Sequence, residues 1–134
     1  MNRKTLISAV EQSCALSGYN FATLTAESIA AHPPHFPVAL LAEPKFQSIT
    51  GRHHGRITYA LTLHLLVQGA YLPPEQRREA LSTLQSHALE IFSNLSTHPQ
   101  VALVQELTIN PTAHTLLNKG ELGITCQAEV EVIF

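Results

Sequence analysis

The sequence contains few charged residues, which occupy only 13% of its 134 positions, against about 25% in typical globular domains. A surface with so few charges is poorly suited to full exposure, whereas a subunit that buries much of its surface against partners needs fewer of them. We therefore expect an oligomer, with a compact monomer whose surface is rich in Ser, Thr and Gln as the alternative. The length fits a single domain, residues 1–134, with one hydrophobic core.

Segments that would attach the chain to nucleic acid or to a membrane are also missing. The net charge is −2 and no long basic stretch occurs, which argues against direct sequence-specific binding of nucleic acid. No apolar run approaches the roughly 18 residues of a membrane span, and the first residues lack the uninterrupted apolar core of a signal peptide. These absences predict a cytoplasmic protein with no membrane partner.

Motifs that carry chemistry are absent as well. The sequence has no Gly-rich phosphate loop and no Gly-x-Ser-x-Gly. Cys14 and Cys126 fit small buried apolar residues in a reducing compartment, with a disulfide between them as the less favoured alternative. Glu129 and Glu131 share one face of a predicted strand, where such a pair is usually solvated or turned towards a partner. Nothing in these residues points to an enzyme.

Histidine is the one abundant candidate for metal binding. The eight histidines are His32, His35, His53, His54, His64, His87, His98 and His114. Metal sites need ligands that converge, such as two histidines one helical turn apart with a third ligand nearby, and these spacings do not supply that arrangement. We therefore expect no catalytic residue, no cofactor and no metal, and keep a histidine-based metal enzyme as an alternative.

What the sequence does contain is a long strand pattern at Arg56–Val67, around which the rest of the chain is arranged. Side chains of a strand alternate between two faces. One face is wholly apolar: Ile57, Tyr59, Leu61, Leu63, Leu65 and Val67. The other face is mixed: Arg56, Thr58, Ala60, Thr62, His64 and Leu66. We expect a central strand whose apolar face meets a helix and whose mixed face is partly available to a partner.

Periodicity predicts the remaining elements. Helical spacing indicates amphipathic helices at Arg3–Ser17, which is followed by the helix-stop residue Gly18, and at Pro74–Thr97. One or two helical turns are expected at Thr25–Ala31, and irregular structure in the proline-rich His32–Pro37. Alternation predicts four further strands: Val38–Ala42, Lys45–Arg52, Val101–Ile109 and Glu121–Phe134. The segment Tyr19–Leu24 is ambiguous.

This order of elements predicts an α+β fold with a mostly antiparallel sheet of four to five strands and two main helices packed on one face. The strands Lys45–Arg52 and Arg56–Val67 are expected to form a β-hairpin. Its turn, Gly51–Arg56, is the one local concentration of cationic side chains. A hairpin that meets an acidic surface on a neighbouring subunit and an ordinary solvated turn are both compatible with it. The candidate residues for a subunit or partner interface are Arg52, His53, His54, Arg56, Thr58, Thr62 and His64.

The chain resembles the tail terminator and tail completion proteins of long-tailed bacteriophages. The resemblance lies in the helix Arg3–Ser17, the hairpin of Val38–Arg52 and Arg56–Val67, the proline-initiated helix Pro74–Thr97 and the closing strand pair, with the final run Gly123-Ile-Thr-Cys-Gln-Ala-Glu-Val-Glu-Val. The proline-rich segment has no counterpart that we can place in this family.

The resemblance implies a non-enzymatic structural protein of a phage or prophage. Such proteins form rings, commonly hexamers, that cap the tail tube or join it to the head, so the expected partners are further copies of the chain and other tail or head–tail connector proteins. The protein would be cytoplasmic during assembly and part of the virion tail afterwards. A small ligand-binding or peptide-binding α+β module, with its pocket between Pro74–Thr97 and the sheet, remains the alternative.

Overall fold

The computed structural model describes residues 1–25, 35–51, 55–69, 71–112, 117 and 120–133. Within these ranges the chain forms two helices and one mixed sheet of six strands, which confirms the α+β class. The helices are α1 (Arg3–Leu16) and α2 (Pro74–Ser96). The strands are β1 (Asn20–Thr23), β2 (Val38–Leu41), β3 (Lys45–Thr50), β4 (Arg56–Gln68), β5 (Val101–Pro111) and β6 (Glu121–Ile133).

The sheet has the order β1-β2-β4-β6-β5, and β3 also pairs with β4. β2 pairs with the second half of β4 and β3 with the first half, so one edge of the long central strand carries two short strands. Residues 42–44 separate them, and Pro44, which has no N–H to donate, explains why the sheet pairing is interrupted there. All neighbours are antiparallel except β1 and β2, which run parallel.

Both helices lie on the same face of the sheet, which we call the helix face. The apolar stripes predicted for β4 and β6 are buried there in one core together with residues of α1 and α2. Leu6, Val10 and Cys14 of α1 and Leu84, Ile91 and Leu95 of α2 belong to that core. α2 packs against the closing strand β6, and the predicted packing of both helices on one face is confirmed.

The ends of α1 follow local sequence signals. Asn2 caps the helix: its Oδ1 accepts a hydrogen bond from the Thr5 N–H, and Thr5 Oγ1 accepts one from the Asn2 N–H, each at 2.9 Å. This reciprocal arrangement satisfies two donors that a helix start leaves open. At the other end, Gly18 has a φ of +84°, a conformation that glycine adopts without steric penalty and that ends the helix.

The alternation predicted for β5 is wrong in register. Val101 lies opposite Val132 on β6, but Leu103 lies opposite Glu131, and a second irregularity falls between Gln105 and Thr108. Each bulge inserts an extra residue and so moves the following side chains to the other face. A strict alternation would place Leu103 on the same face as Val101, but the bulge moves it to the other face, where it is 45% exposed.

The other face of the sheet, which we call the open face, differs between its two ends. At the end of β2 a small buried cluster forms from Val38, Leu40 and Leu66, with Leu24, Phe36 and Leu117 packed against it. At the hairpin end no helix covers the face within the described residues. Several predicted features lie outside the described residues: the helical turns after Thr25, the residues 32–34 and the hairpin tip 52–54.

Candidate assembly surface

The hairpin end of the open face holds most of the described residues that were predicted for a partner interface. The two longest strands, β4 and β6, form the central pair of the sheet. Across this pair Thr58 lies opposite Glu131, and Thr62 lies opposite Gln127. Thr58 and Thr62 are half-buried and Gln127 is exposed. The surface is therefore neither a dry core nor a fully wetted face, as the mixed sequence pattern indicates.

A shallow depression of about 370 Å³ occupies the middle of this surface. Ala60 and Thr62 on β4 and Gln127 on β6 contribute to its lining. Its two ends are charged with opposite signs: Lys45 lies on β3 and Glu106 on β5. Because β3 and β5 flank the central pair, these charges mark opposite edges of the sheet at this end.

The strand β3 forms one of those edges and is exposed along its whole length of six residues. Within the described part of the chain its only strand neighbour is β4. Phe46 and Ile49 are 54% and 53% exposed, respectively, and both project from the helix face because a bulge near Gln47 shifts the register between them. An exposed strand edge with apolar side chains is a template for pairing with another chain.

The strand β5 forms the opposite edge, and its only described neighbour is β6. Glu106 has a φ of +54° at the second bulge, and Leu103 adds an exposed apolar side chain. β5 carries one acidic residue and no basic one, whereas β3 carries one basic residue and no acidic one. The two free edges are thus complementary in charge.

The predicted interface residues do not form a single cluster. Arg56 is exposed and its guanidinium lies 3.1 Å from the Glu131 carboxylate, an ion pair with side-chain exposures of 55% and 22%. A pair this exposed contributes little to stability. Thr58 and Thr62 lie on the open face, and Arg52, His53 and His54 lie outside the described residues.

His64 is separated from the others because it is only 9% exposed within the single chain. Its Nδ1 lies 2.9 Å from Oγ1 of Thr125 on the neighbouring strand. The mixed pattern of β4 therefore covers two environments, since Leu66 and His64 are buried at one end while Thr58 and Thr62 remain accessible. Only the hairpin half of the pattern is left for a partner.

Sequence reasoning missed Phe46 and Ile49, because a strict alternation places them on opposite faces of the strand. It also missed Lys45 and Glu106, which meet in one surface feature only once the strand order is known. A signal was present in the composition of β3, where two large apolar residues stand among exposed polar ones. That pattern alone does not tell an edge strand from a half-buried one.

The two cysteines and the two adjacent carboxylates that the sequence singled out have defined environments in the structure. Burial raises the pKa of the Cys14 and Cys126 thiols to about 12, so neither forms a thiolate at neutral pH. Glu129 accepts a hydrogen bond from Gln105, while Glu131 pairs with Arg56. No cluster of three or more His, Cys, Asp or Glu side chains that would hold a metal ion occurs among the described residues.

The helices of the described ranges do not combine the length and the apolar character needed to cross a membrane. Comparison with models of known protein families finds no match, and a search of curated proteins finds no significant match either.

Proposed function

We propose that this protein is a non-enzymatic structural subunit of a phage or prophage tail that assembles head to tail into a ring. In this proposal the β3 edge of one subunit pairs with the β5 edge of the next. The observation that carries it lies at one end of the sheet, where two edges have no further strand neighbour among the described residues, carry opposite charge and expose apolar side chains.

The use of two different edges decides the kind of assembly. When one patch of a subunit binds a different patch on its neighbour, the contact is heterologous, and a suitable rotation closes it into a ring. A contact of β3 with a second β3 would instead give a closed dimer. The charges favour the first arrangement, because Lys45 meets Glu106 in a β3–β5 contact but meets another lysine-bearing edge in a β3–β3 contact.

In the proposed contact, exposed apolar side chains provide most of the affinity, and the opposite charges of the two edges determine which edge is bound. Phe46 and Ile49 are each more than half exposed, so a neighbouring strand would remove apolar surface from water, at about 25 cal/mol per Å². Exposed ion pairs contribute less affinity but steer association and disfavour the wrong edge. The low charged fraction of the chain, 13%, agrees with a subunit that buries surface in an assembly.

The open face would then remain for the next component of the tail or neck. Thr58, Ala60 and Thr62 would present it. This division gives the ring one contact for itself and one for its neighbours. Such a ring agrees with the resemblance to tail terminator and completion proteins, whose rings commonly contain six subunits.

The test is the mass of the purified protein in solution, measured by light scattering and by native mass spectrometry. The wild type is expected to form a closed oligomer of defined size. Ile49→Lys places an unpaired charge within the proposed contact, where burial without a partner is costly, and is expected to reduce the mass to that of a monomer. A folded Ile49→Lys protein with unchanged mass would contradict the β3 contact.

Leu89→Lys is the matched control, because Leu89 is 51% exposed on α2, close to the 53% of Ile49. Both variants gain the same charge at a similarly exposed apolar position, and only Ile49 lies on a sheet edge. We expect Leu89→Lys to assemble as the wild type does. The role in a tail is tested separately, by electron microscopy of tails assembled with and without the protein, where its absence should give tubes of irregular length.

A second candidate function is the binding of a small ligand. It is supported by a cleft beside α2 that shares no residue with β3 or β5.

A further inference from the structure

A cleft of about 250 Å³ lies where α2 crosses the start of β1 and the end of β4. One stripe of α2, Ala80, Thr83, Leu84 and His87, forms one wall at spacings of three and four residues. Val67 at the end of β4 and Pro37 before β2 contribute to the remaining lining. The cleft is therefore built from four separate segments of the chain, and its walls are largely apolar.

Two aromatic rings place a polar group in this cleft. The Tyr19 hydroxyl lies 2.7 Å from Nδ1 of His87, and the ring centroids are 5.5 Å apart with an interplanar angle of 78°. Burial raises the pKa of Tyr19 to about 12, so the phenol keeps its proton at neutral pH. When that proton is donated to Nδ1, a neutral His87 carries its own proton on Nε2 and so retains a donor.

A third polar group in the lining has no partner. Oγ of Ser17 is buried and makes no hydrogen bond within the described residues. A buried hydroxyl without a partner costs free energy, and such groups are usually satisfied by protein, water or ligand. Ser17 lines the same cleft as Tyr19 and His87, and its side chain must rotate before the buried oxygen can reach a molecule bound there.

The charge and size of the cleft restrict what fits. None of the eight described residues that line it is Asp, Glu, Lys or Arg, so a charged ligand would lose its hydration without gaining an opposite charge from them. An apolar cavity of about 150 Å³ accepts benzene, and 250 Å³ leaves room for one further substituent. A peptide segment, with several backbone donors and acceptors, exceeds both the volume and the polar groups available.

We propose that this cleft binds a small neutral molecule that has one ring and one hydroxyl or carbonyl group. The ring packs between Val67 and the apolar stripe of α2, with its face or edge towards the ring of His87. Its polar group hydrogen-bonds to the pair formed by Tyr19 and His87. This binding function is additional to assembly, because the lining contains no residue of the two sheet edges.

The experiment is a titration of the full chain with phenol, followed by amide chemical shifts in NMR spectra and by calorimetry. Phenol is expected to bind saturably and to shift the amide signals of Ser17, Tyr19, Ala80 and His87. Benzoate has the same ring with a negative charge and is expected to bind at least tenfold more weakly. Equal affinity for benzoate, or no saturable shift at these residues up to the solubility of phenol, would overturn the proposal.

Two variants locate the site. Ala80→Phe fills the cleft from the helix wall and is expected to abolish the shifts, whereas Glu79→Phe adds the same ring at the exposed neighbouring position and should leave binding unchanged. Tyr19→Phe removes one hydroxyl and is expected to weaken phenol binding by about tenfold, the loss typical of one hydrogen bond. If a folded Ala80→Phe protein binds phenol as the wild type does, the ligand occupies another place and the proposal is wrong.

Discussion

His64 and Thr125 face each other across the central strand pair, with Nδ1 of the imidazole 2.9 Å from Oγ1 of the threonine. Oγ1 of Thr125 lies 3.1 Å from Oγ1 of Thr112, so the contact continues into a short chain of polar groups. His64 is thus a buried histidine with a hydrogen-bond partner. Burial lowers its pKa below the ordinary value of 6.5, because the charged imidazolium loses hydration there.

This lowered pKa predicts a pH dependence of stability. In the unfolded chain His64 takes up a proton as the pH falls below 6.5, whereas in the folded chain it stays neutral to lower pH. The unfolded state then binds more protons, so the free energy of unfolding decreases as the pH falls from 6.5 towards the lowered folded-state pKa. Above pH 6.5 His64 is neutral in both the folded and the unfolded chain, and its contribution to the pH dependence vanishes.

His64→Gln removes the titrating group and keeps hydrogen-bonding atoms. Urea unfolding at several pH values between 5 and 7 should show a smaller decrease in stability for this variant than for the wild type. His35→Gln is the control, because His35 is an exposed histidine and its replacement should leave the slope unchanged. Equal slopes in His64→Gln and wild type would contradict the assigned cause.

The sequence predicts the elements whose periodicity runs over many residues. β4 and β6 extend over 13 residues each, and α2 over 23, so their apolar stripes are unambiguous. β1 has only four residues, too few to establish a period, and its place depends on the parallel pairing with β2. The sheet therefore has six strands instead of the expected four to five.

The candidate surface was only partly predictable for a related reason. The alternation in β4 correctly separates the apolar face from the mixed one, which identifies Thr58 and Thr62. It does not show that Leu66 is covered by residues distant in sequence, such as Leu24 and Leu117. The bulges in β3 and β5 change the face of each following side chain, and nothing in the local sequence places them.

Leu84 on α2 is 1% exposed and belongs to the core that joins the helix to the sheet. Leu84→Ala is expected to lower the free energy of unfolding by about 2–5 kcal/mol, since it removes buried methyl groups and leaves a cavity. Leu89→Ala makes the same chemical change on the same helix at a side chain that is 51% exposed, and should cost much less. Chemical denaturation followed by circular dichroism measures both, and equal losses would place Leu84 outside the core.

Gly123 on β6 is required by close packing across the central pair. A Cβ added there would lie 2.8 Å from the backbone oxygen of Leu65 and would also meet the side chain of Leu66. Because a backbone atom cannot move aside easily, Gly123→Ala is expected to destabilise the fold by about 1–3 kcal/mol. At Gly69 the nearest atom to an added Cβ is the end of the flexible Leu72 side chain, at 3.0 Å, so Gly69→Ala should have a smaller effect. Thermal unfolding of both variants and the wild type measures the difference.

The opposite charges of Lys45 and Glu106 give the head-to-tail contact a specific signature. If these residues face each other between subunits, Lys45→Glu brings two carboxylates together and Glu106→Lys brings two ammonium groups together. Each single variant is expected to assemble less than the wild type at low ionic strength. Salt screens exposed charges over about 10 Å at 0.1 M, so the difference from the wild type should narrow as salt is added.

A 1:1 mixture of the two single variants should assemble better than either variant alone. In a ring with alternating subunits, Glu at position 45 of one variant faces Lys at position 106 of the other, and at the next contact Lys45 faces Glu106, so every contact is again complementary. Native mass spectrometry should then detect rings with equal numbers of both variants. The double variant Lys45→Glu/Glu106→Lys restores opposite charges within one chain and should assemble alone. Rings that form equally well from each single variant, with random subunit composition in the mixture, would show that the two edges do not meet.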